Sequence, residues 1–286
     1  MRILIIIPAH NEAEYLQKTL LSLQQQTLSA KKIIVVNDNS SDGTENIIDD
    51  FVERNTYFKK INLKSKDAHM PGTKVINAFY AGLAGEDLTQ YDVVCKFDAD
   101  IIFPENYLEQ IADAYQKNKK LGMCSGLCYI KNSYEEWVYE TIADKKHVRG
   151  PIKSYTVECF KKIGGLKKSI GWDTVDELLA QYNGYQIKTI ASLHVKHLRP
   201  TGGSYNKKAI KMQGEAMYKM RYGFILTCIA SLKMALQKRS IRAFLNNISG
   251  FLEHYKKKTP FMVTPQEGAF IRKYRYQGIL KKILPF

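Results

Sequence analysis

Residues 33–44 of the chain read IIVVNDNSSDGT, a run of β-branched residues that leads directly into a polar, turn-forming loop. Four consecutive apolar residues of this kind predict a strand buried on both faces, as in a parallel sheet. Residues 3–12 read ILIIIPAHNE and residues 93–100 read VVCKFDAD, so the same pattern occurs three times. Because the carboxyl ends of parallel strands share one edge of a sheet, the polar residues after these strands are expected to meet there.

Helical patterns alternate with these strands. Leucines recur at helical spacing within residues 16–23, and residues 47–51, residues 74–83 and the segment after Pro104 predict three more helices. Residues 122–130 and 186–191 read as later strands. Strands that alternate with helices are typical of βαβ units, so we expect an α/β fold with a Rossmann-like, mostly parallel sheet and flanking helices.

Charge divides the 286-residue chain into two regions. The net charge is +15, but residues 1–204 contain 26 Lys+Arg against 25 Asp+Glu, whereas residues 205–286 contain 17 against three. We therefore expect a nearly neutral domain over 1–204 and a basic, helical C-terminal region over 205–286. Cationic residues interleaved with aromatic ones favour an anionic membrane surface as the partner of that region, with RNA as the alternative.

Several classes of protein are disfavoured by what the sequence lacks. The five cysteines form no CxxC pair, which favours reduced, intracellular thiols over a disulfide framework or a zinc site. The longest uncharged stretch of the basic region, between Arg221 and Lys233, has 11 residues, and a membrane-spanning helix needs about 20. No GxGxxG or GxxxxGK[ST] loop follows a strand. We expect a cytoplasmic protein, with attachment to the inner face of the membrane as an open alternative.

Asp98 and Asp100 are the clearest candidates for a metal site. At a strand end, side chains two residues apart can point to the same side, and carboxylate oxygens suit Mg²⁺ or Mn²⁺ on a diphosphate. Capping or turn formation by aspartate is the alternative. Asp38 also has two interpretations. It could accept a hydrogen bond from a nucleobase, or it could belong to an ordinary loop. Lys74, close to Gly72 at a helix start, is a weaker candidate for phosphate binding.

A second group of carboxylates lies at Asp173, Asp176 and Glu177. Asp173 precedes a predicted helix, so it could cap that helix or accept the proton of an acceptor hydroxyl. His197 follows the 186–191 strand, and a single histidine there is either a structural residue or a metal ligand.

Five short motifs in order resemble family 2 glycosyltransferases of the GT-A fold. The family's P-x-Y-N-E, V-V-D-D-x-S-x-D-G-T, D-x-D, F-x-x-I-G-G and G-E-D-T segments correspond to residues 8–12, 35–44, 98–100, 160–165 and 171–174. The resemblance extends over residues 1 to about 204. The chain departs from the family pattern at three positions. His10 stands where the family has tyrosine, Asn37 where it has the first aspartate, and Trp172 where it has glutamate.

The resemblance implies a role for each matching residue. Asp38 would contact the base of a nucleotide-sugar, Asp98 the ribose and the metal, and Asp100 the Mn²⁺ or Mg²⁺ on the diphosphate. Three further residues would line the nucleotide pocket, namely Pro8, Ala9 and Glu12. Asp173 would be the general base for an inverting displacement, and His197 would touch the metal or the diphosphate. Since Trp172 departs from the pattern, Asp176 and Glu177 stay open as alternative bases.

The resemblance also implies the reaction class. We expect a metal-dependent, inverting, hexosyltransferase-like enzyme that moves a sugar from a UDP-sugar, the commonest donor type of the family, to a hydroxyl of a glycan or lipid-linked acceptor. Cell-surface polysaccharide synthesis is the expected setting. The alternatives are a nucleotide-sugar-binding protein without turnover and, less favoured, a basic nucleic-acid-binding protein. No recognisable RNA-binding motif supports the latter, so nucleic acid is not expected as a partner.

Overall fold

The computed structural model describes residues 1–64, 72–141, 144–200 and 209–283, and one nine-stranded sheet lies at the centre of these residues. The strands are β1 (Ile3–Ala9), β2 (Lys32–Asp38), β3 (Phe58–Leu63), β4 (Val93–Phe97), β5 (Ile101–Ile102), β6 (Leu121–Lys131), β7 (Trp137–Tyr139), β8 (Ile152–Thr156) and β9 (Gln186–His197). The α-helices are α1 (Leu16–Gln24), α2 (Thr44–Arg54), α3 (Thr73–Leu83), α4 (Tyr107–Lys117), α5 (Val157–Lys162), α6 (Trp172–Tyr182), α7 (Ala209–Lys219), α8 (Gly223–Gln237), α9 (Ile241–Lys256) and α10 (Pro265–Ile283).

The sheet is mostly parallel, as expected. Its strand order is β3-β2-β1-β4-β8-β6-β9-β5, with β7 paired to β6. Strands β1 to β4 are parallel, and β8 reverses direction between β4 and β6, while β9 runs parallel to β6. The carboxyl ends of β1, β2 and β4 therefore lie side by side, which is the edge where open α/β sheets bind ligands.

Strand β1 shows how the sheet is buried from both sides. Ile3, Ile5 and Ile7 pack into an apolar cluster with α1, α2 and α4, whereas Leu4 and Ile6 pack into a second cluster on the other face. All five side chains are completely buried. The uninterrupted apolar run of this strand thus reflects a three-layer α/β/α arrangement.

The elements that were expected from periodicity are present, and five additional elements appear. The strand and helix patterns of the first 120 residues correspond to β1, α1, β2, α2, α3, β4 and α4, and the 186–191 strand continues to His197. The unexpected elements are β3, β5, β7, β8 and α5. Strands β3 and β8 contain lysines, which obscured their apolar pattern, and β5 has only two residues.

The C-terminal helices pack on the sheet domain and on one another. A Cβ atom on Gly171 would lie 3.0 Å from Ala216 Cβ of α7, and the Tyr182 and Phe270 rings are 5.5 Å apart. Helices α7 and α9 cross so closely that a Cβ on Gly214 would clash with the main-chain oxygen of Asn247. The expected boundary near residue 204 falls outside the described residues. Among the residues that are described, no helix combines the length and the apolar character needed to span a bilayer.

Candidate active site

A cleft of about 270 Å³ opens where β1, β2 and β4 end. It is lined by Pro8, Ala9, His10, Glu12, Asp38, Gly72, Lys74, Val75, Ala78, Asp98, Ala99, Asp100 and Arg199. We call it the donor cleft. Seven residues singled out from the sequence line it together, although they come from three strand ends and the start of α3. His197 and Asp173 lie beside this cleft and are considered below.

Asp38 is buried at the end of β2, on the floor of the donor cleft. Its carboxylate Oδ2 lies 3.7 Å from Lys74 Nζ at the start of α3. The ring of His10 donates from Nδ1 to the main-chain oxygen of Asp38 over 2.6 Å. His10 therefore connects the ends of β1 and β2, and Lys74 brings a cation beside the carboxylate.

The rest of the 37–44 loop mostly forms turns, as its composition allows. Asn39 has a φ of +56°, a left-handed conformation that asparagine tolerates better than most residues. Asp42 accepts hydrogen bonds from the main-chain N–H groups of Thr44 and Ala13. Asn37 donates to Asn62 of β3 and accepts from Ser40 N. The loop is thus shaped by Asn37 and Asp42, whereas Asp38 faces the cleft.

Asp98 and Asp100 lie next to each other with different surroundings. Asp98 accepts a charged hydrogen bond from Lys96, whose side chain is 2% exposed and also donates to the main-chain oxygen of Gly150. Asp100 is buried, with Oδ2 3.3 Å from Arg199 Nε and Oδ1 3.7 Å from His197 Nε2. Burial and the nearby Asp98 carboxylate raise the pKa of Asp100.

Glu12 completes the acidic group at this end of the sheet. Its Oε1 accepts a hydrogen bond from Arg199 Nη2 at 2.5 Å. Burial, with smaller contributions from Asp100 and Asp98, raises the pKa of Glu12 to about 7, although Arg199 opposes that rise. Arg199 therefore links two carboxylates that would otherwise repel each other.

The donor set of this group fits a hard divalent cation. Within the described residues, Asp100 Oδ1 is buried without a hydrogen-bond partner, and so is Glu12 Oε2. Buried polar atoms rarely remain unpaired, and clustered carboxylates are stabilised by a cation placed among them. Asp98, Asp100 and His197 are the side chains that would hold Mn²⁺ or Mg²⁺ here.

His197 is held in place by a carboxylate on its far side. Its Nδ1 lies 2.9 Å from Glu140 Oε2, and Glu140 also pairs with Arg149. All three side chains are at most 6% exposed. A proton on Nδ1, directed at Glu140, leaves the Nε2 lone pair directed toward Asp100, which is how histidine ligands are usually oriented. Cys128 lies in the same buried group.

Asp173 lies in the first turn of α6, with its side chain 39% exposed. His147 Nε2 is 3.9 Å from Asp173 Oδ2. A Cβ atom on Gly150 would lie 3.6 Å from Asp173 Cβ, and the Gly150 oxygen accepts from Lys96, the partner of Asp98. Asp173 is thus separated from the D-x-D aspartates by one layer of residues.

Asp176 and Glu177 already have partners within the fold. Asp176 is fully buried, with both oxygens 2.8 Å from Lys153 Nζ and a further hydrogen bond from Tyr155. Glu177 Oε1 accepts from Val148 N at 2.6 Å and lies 3.0 Å from His147 Nδ1. Of the three carboxylates in this segment, Asp173 is the most exposed to solvent.

Trp172, which departs from the family pattern, packs between two buried lysines. The ring centroid lies 5.3 Å from Lys96 Nζ and 5.6 Å from Lys153 Nζ, within the range of cation–π contacts. Sequence reasoning missed both lysines, together with Glu140 and Arg199. Lys96 and Lys153 could have been noticed as single cations inside strand segments, and Arg199 as a cation two residues after His197.

A mostly parallel sheet with a carboxylate-lined cleft at its carboxyl edge is the arrangement in which open α/β proteins bind ligands, and the GT-A glycosyltransferases share it. The sequence pattern of glycosyl transferase family 2 matches residues 4–169, more than half of the chain, and the protein belongs to that family. The expected fold, enzyme class and family are therefore confirmed.

Relatives match about half of the chain. A poly-β-1,6-N-acetyl-D-glucosamine synthase of Staphylococcus epidermidis is 30% identical over 166 residues, which are 57% of this chain and 34% of that protein. The abequosyltransferase RfbV of Salmonella typhimurium is 31% identical over 147 residues, 48% of this chain and 41% of its own length. The chain thus matches well under half of the length of either relative.

Solved structures resemble almost the whole chain. The mannosyltransferase PcManGT of Pyrobaculum calidifontis, in complex with GDP-Man and Mn²⁺, has a TM-score of 0.61 at 15% identity and covers 98% of this chain and 81% of its own. Staphylococcus aureus TarS 1–349 in complex with UDP-GlcNAc has a TM-score of 0.59 at 17% identity, and the match covers 99% of this chain and 82% of that one. At these identities the likeness concerns the fold.

Proposed function

We propose that this chain is a metal-dependent, inverting glycosyltransferase that transfers a sugar from a UDP-sugar to an acceptor hydroxyl. The observation that carries the proposal is the buried, unpartnered Asp100 Oδ1 at the end of the donor cleft, beside Asp98 and His197. An acidic group of this kind suits a cation-bound diphosphate better than a neutral ligand.

We assign the nucleotide-sugar donor to the donor cleft, with its base beside Asp38 and its diphosphate beside Asp98 and Asp100. Asp38 binds the base, and the neighbouring Pro8, Ala9 and Glu12 line the same pocket. Lys74, 3.7 Å from Asp38, lies at the start of α3, where its ammonium is available to a phosphate. Ribose and metal contacts are assigned to Asp98, and metal contacts to Asp100 and His197. A bound Mn²⁺ or Mg²⁺ would neutralise the charge that develops on the departing diphosphate.

Asp173 is proposed as the general base. Its carboxylate accepts the proton of the acceptor hydroxyl while that oxygen forms a bond to the anomeric carbon. The bond from this carbon to the diphosphate oxygen breaks, and the nucleoside diphosphate leaves with the electron pair. One displacement inverts the anomeric configuration. The exposure of Asp173 supports this role, and the partners of Asp176 and Glu177 make these two residues weaker candidates.

The setting proposed for the reaction is cell-surface polysaccharide or lipid-linked glycan synthesis at the cytoplasmic face of the membrane. The polysaccharide synthase and the abequosyltransferase among the relatives support this substrate class. We keep residues 1–204 as the catalytic domain and residues 205–286 as a basic region that associates with the membrane.

A panel of nucleotide-sugars tests the proposal. The chain is incubated with UDP-, GDP-, CDP- and dTDP-sugars with Mn²⁺, Mg²⁺ or EDTA, and thermal stability and released nucleotide are measured. We expect one class of donor to raise the melting temperature only with metal, and to release nucleoside diphosphate. A donor that binds equally well in EDTA would contradict the metal assignment. Binding without release on any supplied acceptor, including water, would favour the non-catalytic alternative.

The variant Asp173→Asn tests the base. We expect turnover to fall on the order of 10²- to 10⁴-fold while donor affinity stays unchanged, because the base acts on the acceptor. Asp113→Asn is the matched control, since Asp113 is 48% exposed on α4 and pairs only with Lys117 among the described residues. Equal turnover in both variants would remove Asp173 from the mechanism. ¹H NMR of the product's anomeric proton reports the stereochemistry.

A further inference from the structure

Helix α8 presents large aliphatic side chains to solvent. Ile225, Ile229, Leu232 and Leu236 are 68%, 39%, 52% and 71% exposed. Their spacing of four, three and four residues places them along one face of the helix. A stripe of this size is far more than the single exposed apolar residues that are ordinary on a protein surface.

The buried face of the same helix contains one large aliphatic side chain and three smaller ones. Leu226 is 2% exposed, Thr227 and Ser231 are completely buried, and Ala235 is 6% exposed. Thr227 Oγ1 donates to the main-chain oxygen of Gly223, so its hydroxyl is satisfied within the helix. A helix that packed only against its own domain would be expected to bury most of its large apolar residues. Here one leucine packs inward, whereas four isoleucine and leucine side chains point outward.

Helix α9 extends this pattern beside α8, against which it packs. Ile241, Leu245 and Leu252 are 67%, 58% and 38% exposed, and they too share one helix face. We call these seven aliphatic residues of α8 and α9 the α8–α9 face.

Basic residues accompany the α8–α9 face. Residues 223–258 contain seven lysines and arginines and one acid, Glu253, which pairs with Lys257 and Lys211. Six of the cations are exposed and form no ion pair with any residue in the described part of the chain. They are Lys233, Lys238, Arg239, Arg242, Lys256 and Lys258.

We propose that the α8–α9 face binds the interface of an anionic lipid bilayer, with α8 and α9 lying in the plane of the membrane. Helices that lie in this interface combine an aliphatic face with lysine and arginine, which attract anionic headgroups. The inference rests on the proposed function, because an enzyme with a lipid-linked acceptor works at such a surface, and it identifies the residues that bind.

Charge argues against the other occupants of this face. A second copy of the chain in a twofold interface would bring the same basic residues against one another. Protein interfaces are also depleted in lysine, whereas exposed lysines accompany this face. A bilayer with acidic headgroups matches both the apolar and the charged component.

Flotation of the full chain with vesicles tests the inference. The vesicles contain phosphatidylcholine alone or with about 30 mol% phosphatidylglycerol. We expect binding to the anionic vesicles to be at least about tenfold stronger than to the neutral ones. The variant Leu232→Gln with Leu236→Gln should lose at least about tenfold in binding, since apolar area contributes to interfacial affinity. Lys233→Gln with Lys238→Gln should weaken binding to the anionic vesicles only.

Matched controls lie on the sheet domain. Leu21 and Tyr134 are 40% and 82% exposed, so Leu21→Gln with Tyr134→Gln removes comparable exposed apolar surface. Lys119→Gln with Lys120→Gln removes two exposed cations. Both controls should bind vesicles like the parent chain. Donor-dependent thermal stabilisation, measured for every variant, should be unchanged, so a failure of membrane binding is distinguishable from a failure of the proposed function.

Three results would overturn the inference. The parent chain could fail to float with anionic vesicles at low salt. Binding could persist in the Leu232→Gln, Leu236→Gln variant, which would show that charge alone attracts the chain. Sedimentation could also reveal a dimer that this variant dissociates, with no vesicle binding by the parent, which would assign the face to a second copy.

Discussion

The donor cleft and the α8–α9 face both contain cations, but in opposite surroundings. Lys96 and Arg199 lie against carboxylates at the edge of the sheet, where Lys96 is 2% exposed and Arg199 is half-exposed. Lys233 and Lys238 are exposed and form no ion pair within the described residues. A buried cation depends on its partner, whereas an exposed one stays available to an external anion. The surroundings of a charge thus indicate its role better than the net charge does.

The largest expected effect belongs to Asp100, which has the unpartnered oxygen of the cleft. We expect Asp100→Asn to lower kcat/KM by about 10⁴-fold, or about 5.5 kcal/mol, and to abolish metal-dependent donor binding. Steady-state kinetics and Mn²⁺ titration followed by electron paramagnetic resonance measure both. The Leu232→Gln, Leu236→Gln variant should keep its turnover on a water-soluble acceptor. If that variant lost activity as Asp100→Asn does, the two regions would not be separable.

The next prediction compares the free energy of unfolding after substitution of two carboxylates, Asp173 and Asp176, which are three residues apart. Asp176→Asn leaves the buried Lys153 without its charged partner, so we expect a loss of about 3–5 kcal/mol in the free energy of unfolding. Asp173→Asn, at an exposed position, should cost less than about 1 kcal/mol. Urea denaturation measures both values. Similar losses for the two variants would mean that Asp173 also has a structural role.

These residues also show how much of the site and the sheet could be predicted from the sequence. Asp98, Asp100 and Asp38 follow strands whose apolar runs are unambiguous, so their meeting at one edge of the sheet was predictable. Strand β8 was not expected, because Lys153 interrupts its pattern, and a lysine in a strand reads as solvent-exposed. Its partner Asp176 comes 23 residues later, and only the tertiary fold brings the two together.

The α8–α9 face illustrates the same limit. The sequence shows an aliphatic stripe with Ile225, Ile229, Leu232 and Leu236, which would ordinarily be assigned to the core. Sequence periodicity identifies which residues share a face, but not whether that face points inward. The burial of Thr227 and Ser231 is what fixes the orientation.

A third prediction concerns Glu140, which lies behind His197. Glu140→Gln keeps the size of the side chain but removes the charge that orients the imidazole and pairs with Arg149. Groups that orient a metal ligand typically change metal affinity by 10- to 100-fold, and we expect a loss of roughly that size for Mn²⁺. Isothermal titration with Mn²⁺ measures it.

Glu136→Gln is the control, since Glu136 is exposed and hydrogen-bonds only to Asn132 among the described residues. Vesicle binding should be the same for both variants. An unchanged Mn²⁺ affinity in Glu140→Gln would mean that His197 takes no part in holding the metal.

The smallest expected effect is a pH dependence of the free energy of unfolding, caused by Glu12 of the donor cleft. Burial raises the pKa of Glu12 from 4.5 to about 7 in the folded chain, so between these values the folded state binds more protons than the unfolded state. The stabilisation due to the protonated carboxyl is therefore fully present below pH 4.5 and is lost as the pH rises through 7. Glu12→Gln cannot titrate and should lack this contribution.

The measurable quantity is the free energy of unfolding of the parent minus that of Glu12→Gln, in metal-free buffer from pH 5 to pH 8. We expect this difference to fall by about 1 kcal/mol, a value reduced for solvent screening because the carboxyl is partly exposed. Glu14→Gln, at an exposed neighbouring position, should give no such slope, and the Leu232→Gln, Leu236→Gln variant should keep the slope of the parent. Parallel curves for the parent and Glu12→Gln would show that Arg199 holds the carboxylate ionised throughout, and the cleft would then resemble the α8–α9 face in having fixed charges.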